Sequence, residues 1–110
     1  MAAPVLKTWS QTFKTDALGQ IFLSGITDVR EYAAVNLEII QHPTNVRNLQ
    51  VSVMMGKITG WTLSQELERF PLDSTGKIHT YAVVGPELSV VLVGGPPNTD
   101  VALQAWVFIR

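Results

Sequence analysis

The chain has 110 residues, 12.1 kDa, 46% hydrophobic and 15% charged residues, and 8 Lys+Arg against 9 Asp+Glu. A chain of this length buries about 65% of its unfolded surface, enough for one core without disulfide or metal staples, and its composition excludes disorder. A formal net charge of -1, a pI near 6.0 and basic residues scattered from Lys7 to Arg110 exclude the electrostatic footprint of a nucleic-acid binder.

The dominant periodicity is two, which is that of half-buried strands. Val5, Lys7, Trp9, Gln11 and Phe13 alternate with Leu6, Thr8, Ser10 and Thr12, predicting a first strand with Trp9 and Phe13 inward. After the turn residues around Gly19 comes a short strand, Ile21-Phe22-Leu23, closed by Gly25. Val35, Leu37 and Ile39 alternate with Asn36 and Glu38 in a third, which ends where His42-Pro43 breaks the pattern. Leu49, Val51, Val53 and Met55 make the fourth, with Gln50 and Ser52 expected to face outward.

Residues 58–70 fit two templates. Leu63, Leu67 and Phe70 stand at helical spacing, whereas Trp61, Leu63 and Leu67 alternate with Glu66 and Glu68. Strand is the preferred reading, because the flanking segments are strands. Residues 71–77 read as a turn, Ile78 to Val84 as strand six and Leu88 to Val93 as strand seven. Gly94-Gly95-Pro96-Pro97-Asn98-Thr99-Asp100 turns the chain into strand eight, Val101 to Ile109. About eight short strands separated by Gly, Pro, Asn and Asp predict an all-β, antiparallel, jelly-roll-like sandwich forming a single domain over residues 1–110.

Strand eight breaks the inside/outside rule. Val101, Leu103, Ala105, Val107 and Ile109 fill one face, and Ala102, Trp106 and Phe108 fill most of the other, leaving Gln104 as the polar member. Burying one Trp and one Phe yields on the order of 8 to 12 kcal/mol at most. A bare patch of that kind is usually an interface, so Ala102, Gln104, Trp106 and Phe108 are the expected contact surface of a homo-oligomer, closed as a dimer or trimer. The alternative is that another segment of the same chain covers the patch, with Pro86 to Leu88 or the region of Trp61 as candidates. Strand seven is equally apolar, and the two are read together as a carboxyl-terminal hairpin.

Motifs that carry chemistry are sparse. His42 and His79 lack the paired spacing of a metal site, so neither a metal nor a cofactor is expected. Ser74-Thr75-Gly76-Lys77 has the Ser-x-x-Lys spacing, but Asp73, Thr75 and Gly76 are turn residues and no helix places the amine on the hydroxyl. Glu66 and Glu68 would share a strand face and are expected to be a solvated pair. A non-catalytic structural or interaction protein is therefore the first reading. The second is a module that binds a carbohydrate or another small polar ligand, with Trp61, His79, Tyr81, Asn98 and Asp100 as candidate contacts. Residues 1–7 lack the regions of a signal peptide, and apolar runs such as residues 90–93 are far shorter than the ~18 residues a membrane span needs. A soluble chain, cytoplasmic by default and without membrane association, is expected. The absence of cysteine leaves the redox compartment open.

Overall fold

A computed structural model describes residues 3–26, 29–41, 46–56 and 65–110. Eight strands follow one another: β1 (Val5–Lys14), β2 (Ile21–Ile26), β3 (Ala34–Gln41), β4 (Gln50–Gly56), β5 (Gln65–Pro71), β6 (His79–Ala82), β7 (Glu87–Val93) and β8 (Asp100–Ile109). They form two four-stranded antiparallel sheets, in the order β1-β8-β3-β6 (sheet A) and β2-β7-β4-β5 (sheet B). This nesting of strands gives a jelly-roll-like sandwich. Among the described residues no helix is long and apolar enough to cross a membrane.

Alternation accounts for the core. Val35, Leu37 and Ile39 of β3 and Val101, Leu103, Ala105, Val107 and Ile109 of β8 are buried against Val51, Val53 and Met55 of β4 and Leu88, Val90 and Leu92 of β7. These are the four central strands, whose inner faces a second layer can cover completely. The edge strands contribute less. On β1 the inward register holds Val5, Trp9 and Phe13 half-buried, while Lys7 and Gln11 of the same register reach solvent. That difference is the sandwich thinning at its rim, where a long polar side chain keeps its stem on the core and its head in water.

Two pairs of loops lock one end of the sandwich. In the β1–β2 loop the Asp16 carboxylate accepts the Leu18 and Gln20 N–H groups at 2.8 and 2.9 Å, an Asx turn that aims Gly19 at the β7–β8 loop. The Gly95 N–H donates to the Gly19 carbonyl at 3.2 Å. Buried Thr15 donates its hydroxyl to the Pro96 carbonyl at 2.6 Å and accepts the Thr99 N–H at 2.8 Å. Beside this corner, buried Gln41 accepts the Val46 N–H at 3.0 Å and donates Nε2–H to the Val46 and Leu72 carbonyls at 3.1 and 3.2 Å.

The structure corrects several expectations. Strands seven and eight are not a hairpin: β7 pairs with β2 and β4, while β8 pairs with β1 and β3 in the other sheet. Central placement accounts for the buried inner faces of both, while the outer apolar residues of β8 stay half-buried. Ser52 lies on the outer side of β4 but is only 2% exposed. It sits between Val91 and Arg69 in register, and its hydroxyl donates to Glu66 Oε2 at 2.6 Å. Strand β2 continues through Gly25, Pro71 belongs to β5 rather than to the turn, and β6 starts at His79. Ile78 and Val84 flank β6 as exposed apolar residues. In the ambiguous segment, residues 65–71 are strand, and the reading of residues 58–64, Trp61 included, lies outside the described residues, as does His42.

Candidate functional site

Two surfaces stand out, the outer face of sheet A and the open side of the sandwich between β5 and β6. On sheet A, register aligns Leu6, Phe108, Asn36 and Thr80 in one row and Thr8, Trp106 and Glu38 in the next. Leu6 is 61% exposed, and Phe108 and Trp106 are half-buried. The Trp106 indole N–H donates to Glu38 Oε1 at 2.9 Å, so the polar end of this large, half-buried ring is satisfied. The chain after β5 crosses nearby: a side chain at Gly76 (φ +70°) would meet Ile40 Cγ2 at 3.1 Å and Glu38 Oε2 at 3.2 Å. Of the two segments expected to cover Trp106 and Phe108, the region of Trp61 lies outside the described residues and Pro86 to Leu88 is engaged elsewhere. Pro86 accepts the Val29 N–H at 2.8 Å and Leu88 lies in the core. Ala102 is half-buried and Gln104 exposed on the same face. On the outer face of sheet B, Phe22, 65% exposed, aligns with Val91.

At the open side, β5 and β6 are the free edges of opposite sheets, and a cluster of side chains joins them. Phe70 stacks on His79 with ring centroids 3.8 Å apart and planes 10° from parallel, and Tyr81 continues the series at 6.4 Å from His79. Glu68 Oε1 accepts the Tyr81 hydroxyl at 2.6 Å and lies 3.0 Å from His79 Nδ1. The Tyr81 hydroxyl, followed by the desolvation that opposes it and then by His79 and Lys77, sets the balance that holds the Glu68 carboxyl below its ordinary value of 4.5. Tyr81 is pushed upward, first by burial and then by its bond to Glu68. An ionised carboxylate has no proton to give, so Nδ1 carries the hydrogen, and in the neutral ring Nε2 is the acceptor.

Glu66 and Glu68 do not share a face. Val53 pairs with Glu68 but Met54 pairs with Glu66, so Leu67 is the extra residue of a β-bulge. The bulge turns Glu68 toward β6 and leaves Glu66 on the outer side with Arg69, 2.8 Å away. Arg69, then Ser52, holds the Glu66 carboxyl below its usual range.

A groove of about 230 Å³ opens beside this cluster, lined by Ile39, Phe70, Pro71, Asp73, Thr75, Lys77 and His79. Asp73 Oδ1 accepts both the N–H and the hydroxyl of Thr75, at 3.1 and 2.8 Å, and Thr75 holds the Asp73 carboxyl low. Of the expected ligand contacts, the structure brings His79 and Tyr81 together but not with Asn98 and Asp100. Asp100 opens β8, whereas His79 aligns through Leu37 with Val107, which puts roughly 25 Å between them at ~3.3 Å per residue and ~4.8 Å per strand. Asn98 has a turn role: its φ is +52° and its N–H donates to Asp16. Sequence reasoning missed Glu68 and Phe70 as partners of His79, since only the bulge and the sandwich closure reveal them.

The cluster predicts a pH effect. A carboxyl whose folded pKa is depressed adds stability that is fully present above its unfolded value and is lost as pH falls through the folded one. Wild-type stability is therefore expected to fall more steeply below pH 4.5 than that of Glu68→Gln, in denaturation series across acid pH. Glu68 is 44% exposed, so screening keeps the gap at neutral pH to about 1 kcal/mol or less.

No protein-family model matches the chain, and no curated protein does. The fold is similar to that of a protein from the disulfide-linked pili that form Bacillus endospore appendages, with a TM-score of 0.58 and 10% identity over 97% of this chain and 87% of that one. It is also similar to the SPBc2 prophage-derived protein YomS, with a TM-score of 0.56 and 10% identity over 98% and 96%. The Yersinia pseudotuberculosis-derived mitogen gives a TM-score of 0.43 and 16% identity over 97% and 85%. At such identities the likeness is one of fold.

Proposed function

We propose that this is a non-catalytic structural protein that self-associates as a homo-oligomer through the outer face of sheet A. The observation that carries the reading is the row of Leu6 and Phe108 beside Trp106, apolar groups that the protomer itself leaves partly in water. The fold shared with a pilus protein supports a structural role. This chain has no cysteine, so its association is not disulfide-linked. Ala102 and Gln104 extend the contact along β8, and a closed dimer or trimer satisfies the face most simply.

Sedimentation velocity at micromolar concentration tests this. Wild type is expected to sediment as an oligomer, and Phe108→Asp as a monomer with an unchanged β-type circular dichroism spectrum. A central aromatic contact of about 2 kcal/mol corresponds to a loss of roughly 30-fold in affinity. A wild-type monomer across that range would overturn the proposal.

A second reading, a module for a carbohydrate or another small polar ligand, has one specific observation behind it. The groove beside His79 combines apolar walls with a cation, a carboxylate and a hydroxyl, the mixture that binds a molecule with both ring faces and hydroxyl groups.

A further inference from the structure

We infer that the groove between β5 and β6 binds a sugar acid, a single hydroxylated ring bearing a carboxylate, with His79 and Lys77 as its two discriminating contacts. The inference rests on the second reading above and names its ligand class and place. Three features carry it. First, the His79 ring is fixed before any ligand arrives. Phe70 covers one face at 3.8 Å and Glu68 holds Nδ1 at 3.0 Å, leaving the imidazole side chain 12% exposed. Pre-set geometry of that kind lowers the ordering cost of binding. Second, with Nδ1 donating to the carboxylate, Nε2 of the neutral ring is an acceptor, and no hydrogen bond joins it to another described residue. A ligand hydroxyl is the complementary group.

Third, the charges in the groove are distributed unequally. Asp73 is already satisfied on one oxygen by Thr75, and Thr75 donates its hydroxyl there. Lys77 makes no ion pair within the described residues, although it stands close enough to Glu68 to lower that carboxyl. Lys77 is the cation of the groove lining, the group able to meet an anionic oxygen beside the ionised Asp73 and Glu68, and Ile39, Phe70 and Pro71 supply apolar wall for the ring's hydrocarbon face. A volume of about 230 Å³ suits one sugar ring rather than a polymer segment. A carboxylate on that ring meets Lys77, and a neutral sugar lacks this contact.

Titration of the full chain with sodium glucuronate and, separately, glucose tests the inference, followed by proton–nitrogen correlation spectra and the His79 imidazole signals. Millimolar glucuronate is expected to shift the amides of residues 70–79 and the imidazole. Glucose is expected to bind about fivefold more weakly, the size of one exposed charge contact. Lys77→Met should abolish that difference, and His79→Phe, which keeps a ring against Phe70, should weaken both sugars. Equal affinity for the two sugars, or a difference that survives Lys77→Met, overturns the sugar-acid assignment. Shifts confined to residues 94–100 overturn the groove and leave the small-ligand reading standing. An absence of shifts with either sugar at tens of millimolar ends both.

Discussion

Gly19→Ala is expected to cost about 3 kcal/mol and to lower the Tm by roughly 10–15 °C. Gly19 has φ +75°, and a Cβ there would stand 1.9 Å from the Gly95 carbonyl oxygen. That atom is backbone, so no rotamer change relieves the clash and the two loops must separate. Separation breaks the Gly95 N–H bond to the Gly19 carbonyl and loosens the corner where Thr15 bridges to Pro96 and Thr99. Gly76→Ala is the control. Its φ is +70°, but the nearest atoms are side-chain atoms of Ile40 and Glu38 at 3.1 and 3.2 Å, which can move. It should lose only the left-handed strain of about 1–2 kcal/mol. Equal losses in urea denaturation would show that the Gly19–Gly95 approach is not what limits that end of the fold.

Gln41→Leu is expected to cost a similar amount, about 3 kcal/mol, despite a near match in volume. The buried amide satisfies the Val46 N–H and carbonyl and the Leu72 carbonyl. An apolar replacement leaves those backbone groups without partners, at about 1–3 kcal/mol for each one that water does not reach. The loss should appear locally as faster hydrogen exchange at the Val46 amide. A variant of unchanged stability and exchange would mean that water replaces all three bonds.

The strands were legible in the sequence because each is a local alternation. Val35-Leu37-Ile39 and the odd positions of β8 could be assigned to the core from period two alone, and both are buried. Strand pairing was not legible. The apolar content of β8 looks the same whether its neighbours are β7 or β1 and β3. The candidate site failed for a related reason. In an unbroken strand Glu66 and Glu68 point the same way, and one extra residue at Leu67 reverses that, yet a bulge leaves no mark in composition. Tyr81 and His79 were singled out as aromatic and titratable residues on one strand, but the carboxylate that organises them comes from the opposite sheet.

The ladder order has a consequence for how the molecule is made. Among the described strands, the edge strand β1 pairs with β8 alone, from Val5 opposite Ile109 to Lys14 opposite Asp100. During synthesis β1 therefore waits for β8, while β4 and β5 can already join as neighbours. Sheet A closes only after translation has passed residue 109, and until then β1 and β3 lack the strand that joins them, which leaves Trp9 and Phe13 exposed to aggregation.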